Sequence, residues 1–92
     1  MKSILDNERK CYVCGDTRTI VMHHIYEGNG RRSQSDKWGC WVYLCPYHHN
    51  MSNEGVHFNK ELDLKLKRIC QERFMELYPD VDFIKEFRRS YL

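Results

Sequence analysis

The sequence predicts an α+β fold: strand, loop, strand and short helix, followed by a C-terminal helical extension. Three observations carry that expectation. Two pairs of soft side chains, Cys11-x2-Cys14 and Cys45-x2-His48, bracket two stretches rich in β-branched, aromatic and apolar residues. Pro46 follows the second stretch directly, at a position suited to the first turn of a helix because proline lacks only a donor that would be unpaired there. Farther on, Leu62, Leu66, Ile69, Cys70, Phe74 and Leu77 recur at helical spacing, a stripe that reads as core.

Taken in order, residues 1–10 form a polar arm that leads into the first pair of cysteines, with Gly15 supplying freedom for the turn behind them. Thr19–Ile25 reads as the first strand and breaks at Glu27-Gly28-Asn29-Gly30. A loop is expected from there to about Trp38. Gly39–Cys45 is the second strand, and the short helix begun by Pro46 carries His48 and His49. A second loop covers roughly Asn53–Asn59. Asn59 caps a helix from Lys60 to about Tyr78, and Pro79-Asp80 ends it, with Asp80 capping a last helix through Val81, Phe83, Ile84 and Phe87. Tyr91-Leu92 is expected to tuck back. The whole reads as one domain, 1–92, with a core at 11–59 and the extension at 60–92.

A chain of 92 residues builds a modest core, and domains of that size commonly rely on a metal or a disulfide. The two x2 pairs, Cys11/Cys14 and Cys45/His48, suit a tetrahedral structural Zn2+ ion. A disulfide framework is the competing reading. The five cysteines, the lack of a secretory apolar segment at the start and an expected cytoplasmic home favour zinc. His49 could close the site in place of His48, but the x2 spacing favours His48. Cys40 and Cys70 are left over as small buried thiols.

Composition is that of a globular domain, 41% hydrophobic and 30% charged, without an apolar run long enough to cross a bilayer; no membrane association is expected. The net charge of +2 is too small to argue for nucleic-acid binding by itself, yet its excess lies in residues 1–45, with seven Lys/Arg against five Asp/Glu. Arg31, Arg32 and Lys37 stand beside flexible glycines, where such cations can grip a sugar-phosphate backbone. A solvated loop is the bland alternative. Trp38, Trp41 and Tyr43 could stack on bases, although strand alternation accounts for Trp41 and Tyr43 without a ligand.

The run C-x2-C, then His23-His24-Ile25, then a strand ending Leu44-Cys45-Pro46-Tyr47-His48-His49 resembles the HNH, or ββα-metal (His-Me finger), nuclease superfamily, particularly small HNH-like proteins of phages and prophages. The motif-bearing part covers about residues 11–59. Gly55-Val56-His57-Phe58-Asn59 and the start of the following helix are similar to the same group. The resemblance implies a ββα-metal core with zinc knuckles, and a DNA endonuclease.

Carried over by position, it makes His24 the general base and His23 and His49 ligands of a catalytic divalent ion, Mg2+ or another such as Mn2+, Ni2+ or Zn2+. Asn53 or His57 would complete that site, Asn53 falling on the face of His49 if the short helix persists. His23 and His24 can serve one phosphate only if the strand twists or ends there, because neighbours on a regular strand point to opposite faces. Cys40 stands where the family has an asparagine that fastens the loop to the strand, so the loop must be held another way. The expected partner is DNA, with a homodimer or a phage or host DNA-processing protein as helper. The alternative is a zinc-stabilised DNA- or protein-binding module that has lost catalysis. A zinc-finger transcription factor ranks last, since cations and anions alternate along residues 60–72.

Overall fold

The computed structural model describes residues 1–28, 30–50, 52 and 55–92. Along the chain run β1 (Val21–His24), α1 (Arg31–Trp38), β2 (Trp41–Leu44), α2 (Pro46–His49), α3 (Lys60–Leu77) and α4 (Phe83–Phe87). The fold is therefore a small α+β assembly around a two-stranded antiparallel sheet, in which Val21 pairs with Leu44 and His24 with Trp41. Among the described residues no helix is long and apolar enough to cross a membrane.

Both strands are shorter than their β-rich stretches, and other segments bond to β2 and its start. The Tyr12 N–H donates to the Tyr43 carbonyl, so the first knuckle lies along β2 (2.8 Å). The N-terminal arm covers the same region: Ser3 Oγ donates to the Trp41 carbonyl, Trp41 Nε1 donates to the Met1 carbonyl, and the Ile4 N–H donates to the Gly39 carbonyl. Trp41 is thus a buried core residue.

The segment expected as a loop up to Trp38 holds α1, a correction with a clear physical cause. RRSQSDKW has one apolar residue in eight, so it shows no helical periodicity. Its buried residue is Ser35, whose hydroxyl accepts from the Tyr26 N–H (3.0 Å) and donates to the Tyr26 carbonyl (2.8 Å). A hydroxyl bridging one peptide does here what an apolar stripe usually does.

Gly39 ends α1 in a left-handed conformation, φ 71°, and a Cβ added there would collide with the carbonyl oxygen of Lys2. Gly39→Ala should cost about 3 kcal/mol, combining the left-handed penalty with a backbone clash that no rotamer relieves. Urea unfolding in zinc-containing buffer checks this, and an unchanged midpoint would contradict it.

Asn59 caps α3 as expected, accepting from the Leu62 N–H (3.1 Å). Leu66, Cys70 and Phe74 are buried, whereas Leu77, at the frayed end of the stripe, is exposed. The last helix starts later than expected. Asp82, not Asp80, caps it by accepting from the Ile84 and Lys85 N–H groups, which sets Phe83 and Phe87 one turn apart and buries both. Tyr91 tucks back, its N–H donating to Oε1 of buried Gln71 (2.7 Å), while Leu92 remains exposed.

Candidate metal centres

Cys11, Cys14, Cys45 and His48 converge into one group able to hold a metal ion such as zinc, their ligand atoms lying within 4.8 Å of one another. The local fold explains the convergence. Cys45 is the N-cap of α2, His48 sits one turn later, and the Gly15 N–H closes the opposite knuckle onto the Cys11 carbonyl (2.8 Å). A tetrahedral ion with the usual zinc bond lengths would have S···S edges of about 3.8 Å and S···N edges of about 3.6 Å. The Cys14–Cys45 sulfurs stand 3.7 Å apart, and His48 Nδ1 lies 3.7 Å from Cys11 Sγ and 3.4 Å from Cys45 Sγ. None of the five cysteines is in a disulfide.

The thiol electrostatics suit a cation. Burial opposes ionisation of Cys11, but backbone hydrogen bonds associated with Cys45, Cys14 and Val13 outweigh it and bring the thiol down to about 7. Cys45 moves the other way, pushed up by burial and by the Cys11 and Cys14 sulfurs. Sulfurs this close cannot all ionise unless positive charge sits among them.

A second group forms beside the first. His23, from β1, His49, next to His48 on α2, and His57, from the segment after α2, bring one ring nitrogen each within 4.8 Å of the others. His57 is held by main-chain pairing: the Val56 N–H donates to the His48 carbonyl (2.8 Å) and the His57 N–H to the His49 carbonyl (3.1 Å). Gly55 permits this approach, since a Cβ there would meet the His49 carbonyl oxygen at 2.8 Å.

Nε2 of His49 and Nε2 of His57 are 3.0 Å apart, close to the edge of about 3.0–3.4 Å that two imidazoles make on one cation. His23 is buried and neither of its ring nitrogens has a hydrogen-bond partner among the described residues. Burial, reinforced by His49, His57, His24 and Lys67, holds its ring neutral by pushing its pKa down to about 3. His49 is lowered for the same first reason, with His57 adding and Glu27 opposing. The neutral His23 ring, with neither nitrogen hydrogen-bonded, suits a cation, and an unsatisfied buried pair is otherwise costly, about 1–3 kcal/mol. The donor set therefore fits a divalent ion.

This triad lines an open cleft of about 410 Å³ together with His24, Glu27, Gly28 and Arg32. His23 and His24 are the last two residues of β1, and both line the cleft. His24 Nε2 lies 3.6 Å from Asp36 Oδ1 on α1, and His23 Nδ1 lies 3.5 Å from Glu27 Oε1. Neither carboxylate was marked by the motif. Glu27, four residues after His23, could have been suspected from its place beside the glycines; Asp36 required knowledge of α1.

The remaining candidates divide. Arg32 lines the cleft, whereas Lys37 is engaged with Glu86 (3.8 Å) and lies over the Trp38 ring. Arg31 is on the first turn of α1 but is not a cleft residue. Asn53 lies outside the described residues.

Cys40 is buried one residue before β2, beside Cys70, and its thiol is pushed up by that neighbour and by burial. Its main chain joins α1 to the first strand's end: the Cys40 N–H donates to the Ser35 carbonyl (2.7 Å) and its carbonyl accepts from the Ile25 N–H (3.0 Å). Comparison of the chain with family models, with curated proteins and with solved structures gave no match.

Proposed function

We propose that the protein is a divalent-metal-dependent DNA endonuclease of the HNH, ββα-metal type, stabilised by a structural zinc ion at Cys11, Cys14, Cys45 and His48. The observation that carries the reading is the buried His23, neither ring nitrogen hydrogen-bonded among the described residues, converging with His49 and His57 in a cleft whose wall also holds His24. Four structural ligands alone would suffice for a scaffold. A second, open histidine group beside a titratable histidine calls for chemistry.

In this reading His23, His49 and His57 hold the ion. When bound, it would offset charge developing on a non-bridging phosphate oxygen and on the leaving 3′ oxygen of a phosphodiester. His24 is the general base. Its Nε2 lies 3.6 Å from Asp36 Oδ1, and the ring would take a proton from the attacking water. Arg32 reaches the same cleft and is placed to hold a phosphate beside the one being cut.

The reading is tested by incubating zinc-loaded protein with supercoiled plasmid and Mg2+ or Mn2+, with EDTA as control. Metal-dependent nicking is the expected result. Zinc-loaded, folded protein that fails to nick the plasmid with either metal would overturn the proposal in favour of a binding module on the same scaffold.

A further inference from the structure

Glu27 is placed by the fold, not by chance. Ile25 and Tyr26, between it and the histidines, are fully buried and clamped by main-chain bonds to Cys40 and by the Ser35 hydroxyl, so the chain turns sharply after β1. That turn returns the Glu27 carboxylate to His23, with Oε1 3.5 Å from Nδ1. The two side chains differ in exposure: His23 is 2% exposed and Glu27 is 42% exposed. Glu27 therefore keeps much of its hydration while facing a ring that has almost none. It lines the cleft, yet it is not part of the triad whose ligand atoms all lie within 4.8 Å of one another. Its geometry is that of a group beside a ligand.

An imidazole that binds a cation through one nitrogen carries its proton on the other, and a carboxylate accepting that proton's hydrogen bond fixes both tautomer and ring angle and raises ligand basicity. Neither His23 nitrogen is hydrogen-bonded among the described residues, and the Glu27 carboxylate, 3.5 Å from Nδ1, is the acceptor within short reach of that nitrogen. We propose that Glu27 is a positioning residue for the cation site, accepting the Nδ1–H of His23 and so presenting Nε2 to the ion. This rests on the assignment of the histidine group as a divalent-cation site made above.

The test is titration of zinc-loaded, full-length protein with Co2+, followed by calorimetry and by the visible spectrum of the bound cobalt. Wild type, Glu27→Gln, Glu27→Ala and His23→Ala are compared, with zinc content and thermal unfolding measured on each. Wild type should take up a second ion, His23→Ala should lose it, and Glu27→Ala should bind about 10–100-fold more weakly at unchanged zinc content. Glu27→Gln keeps an acceptor oxygen for Nδ1–H and should lose distinctly less than Glu27→Ala. Cobalt affinity unchanged in Glu27→Ala overturns the proposal. Glu27→Gln as weak as Glu27→Ala also overturns it, making the carboxylate a ligand or a plain charge. A wild type that takes up no second ion removes this inference and the nuclease reading together. Weakened cobalt binding in Glu27→Ala, from a wild type that nicks no DNA, supports Glu27 while the nuclease reading alone falls.

Discussion

Cys45→Ala is expected to abolish cooperative unfolding altogether, not merely to lower its midpoint. Cys45 closes β2 and opens α2, and its sulfur stands 3.7 Å from that of Cys14 and 3.4 Å from His48 Nδ1. Losing it frees the first knuckle from the short helix, the two segments that supply the Cys/His group. Structural zinc sites contribute on the order of 10–16 kcal/mol of apparent binding free energy, which is folding free energy when the unfolded chain has no preformed site. Domains of this kind have net stabilities of about 5–15 kcal/mol, so the ion is comparable with the whole. The two-stranded sheet has four residues per strand and cannot make up the difference. Circular dichroism melts with and without a strong chelator provide the measurement. Wild type stripped of metal should behave like Cys45→Ala and recover on adding zinc. A cooperative melt at the wild-type midpoint in either sample would show that the apolar core suffices.

His24→Ala should leave the fold and both metal sites in place while reducing plasmid nicking by at least about 100-fold, the lower range for loss of a positioned general base. His24 is partly exposed, with its Nε2 3.6 Å from Asp36 Oδ1, so little packing is lost. His23→Ala separates the two roles: it should abolish nicking through loss of the cation, whereas His24→Ala should retain cobalt uptake. Rapid nicking by His24→Ala that still carries both ions would remove the base from this residue.

Most of what was legible in the sequence came from residues whose local chemistry alone decides their role. Asn59 had a side chain suited to the first turn of α3, Pro46 could open α2, and the spacing of four soft ligands matched one tetrahedron. What the sequence hid depended on long-range partners. Helix α1 is held through Ser35 to the Tyr26 peptide, a contact with no periodic signature. Asp82 displaced Asp80 as the cap because the helix register is set by burying Phe83 and Phe87 against Phe74 and Tyr26. His57 was an undecided candidate, since only the pairing of residues 56 and 57 with the end of α2 brings it to His49. The histidines were visible; the carboxylates beside them became visible only with the turn after β1 and with α1.

Tyr26 ties these halves together. Two residues after His24 and one before Glu27, it is fully buried, donates its hydroxyl to the Lys67 carbonyl in α3 (2.6 Å), and packs its ring against Phe83, Phe87 and Tyr91. A chain cut after residue 59 would expose that ring and strand its hydroxyl at the turn that aims the cleft residues. The boundary between 59 and 60 is thus a boundary in secondary structure and not in cooperativity. Limited proteolysis should find no stable fragment ending there, and a graft of the histidine cleft onto another scaffold would have to bring the aromatic seat of Tyr26 with it.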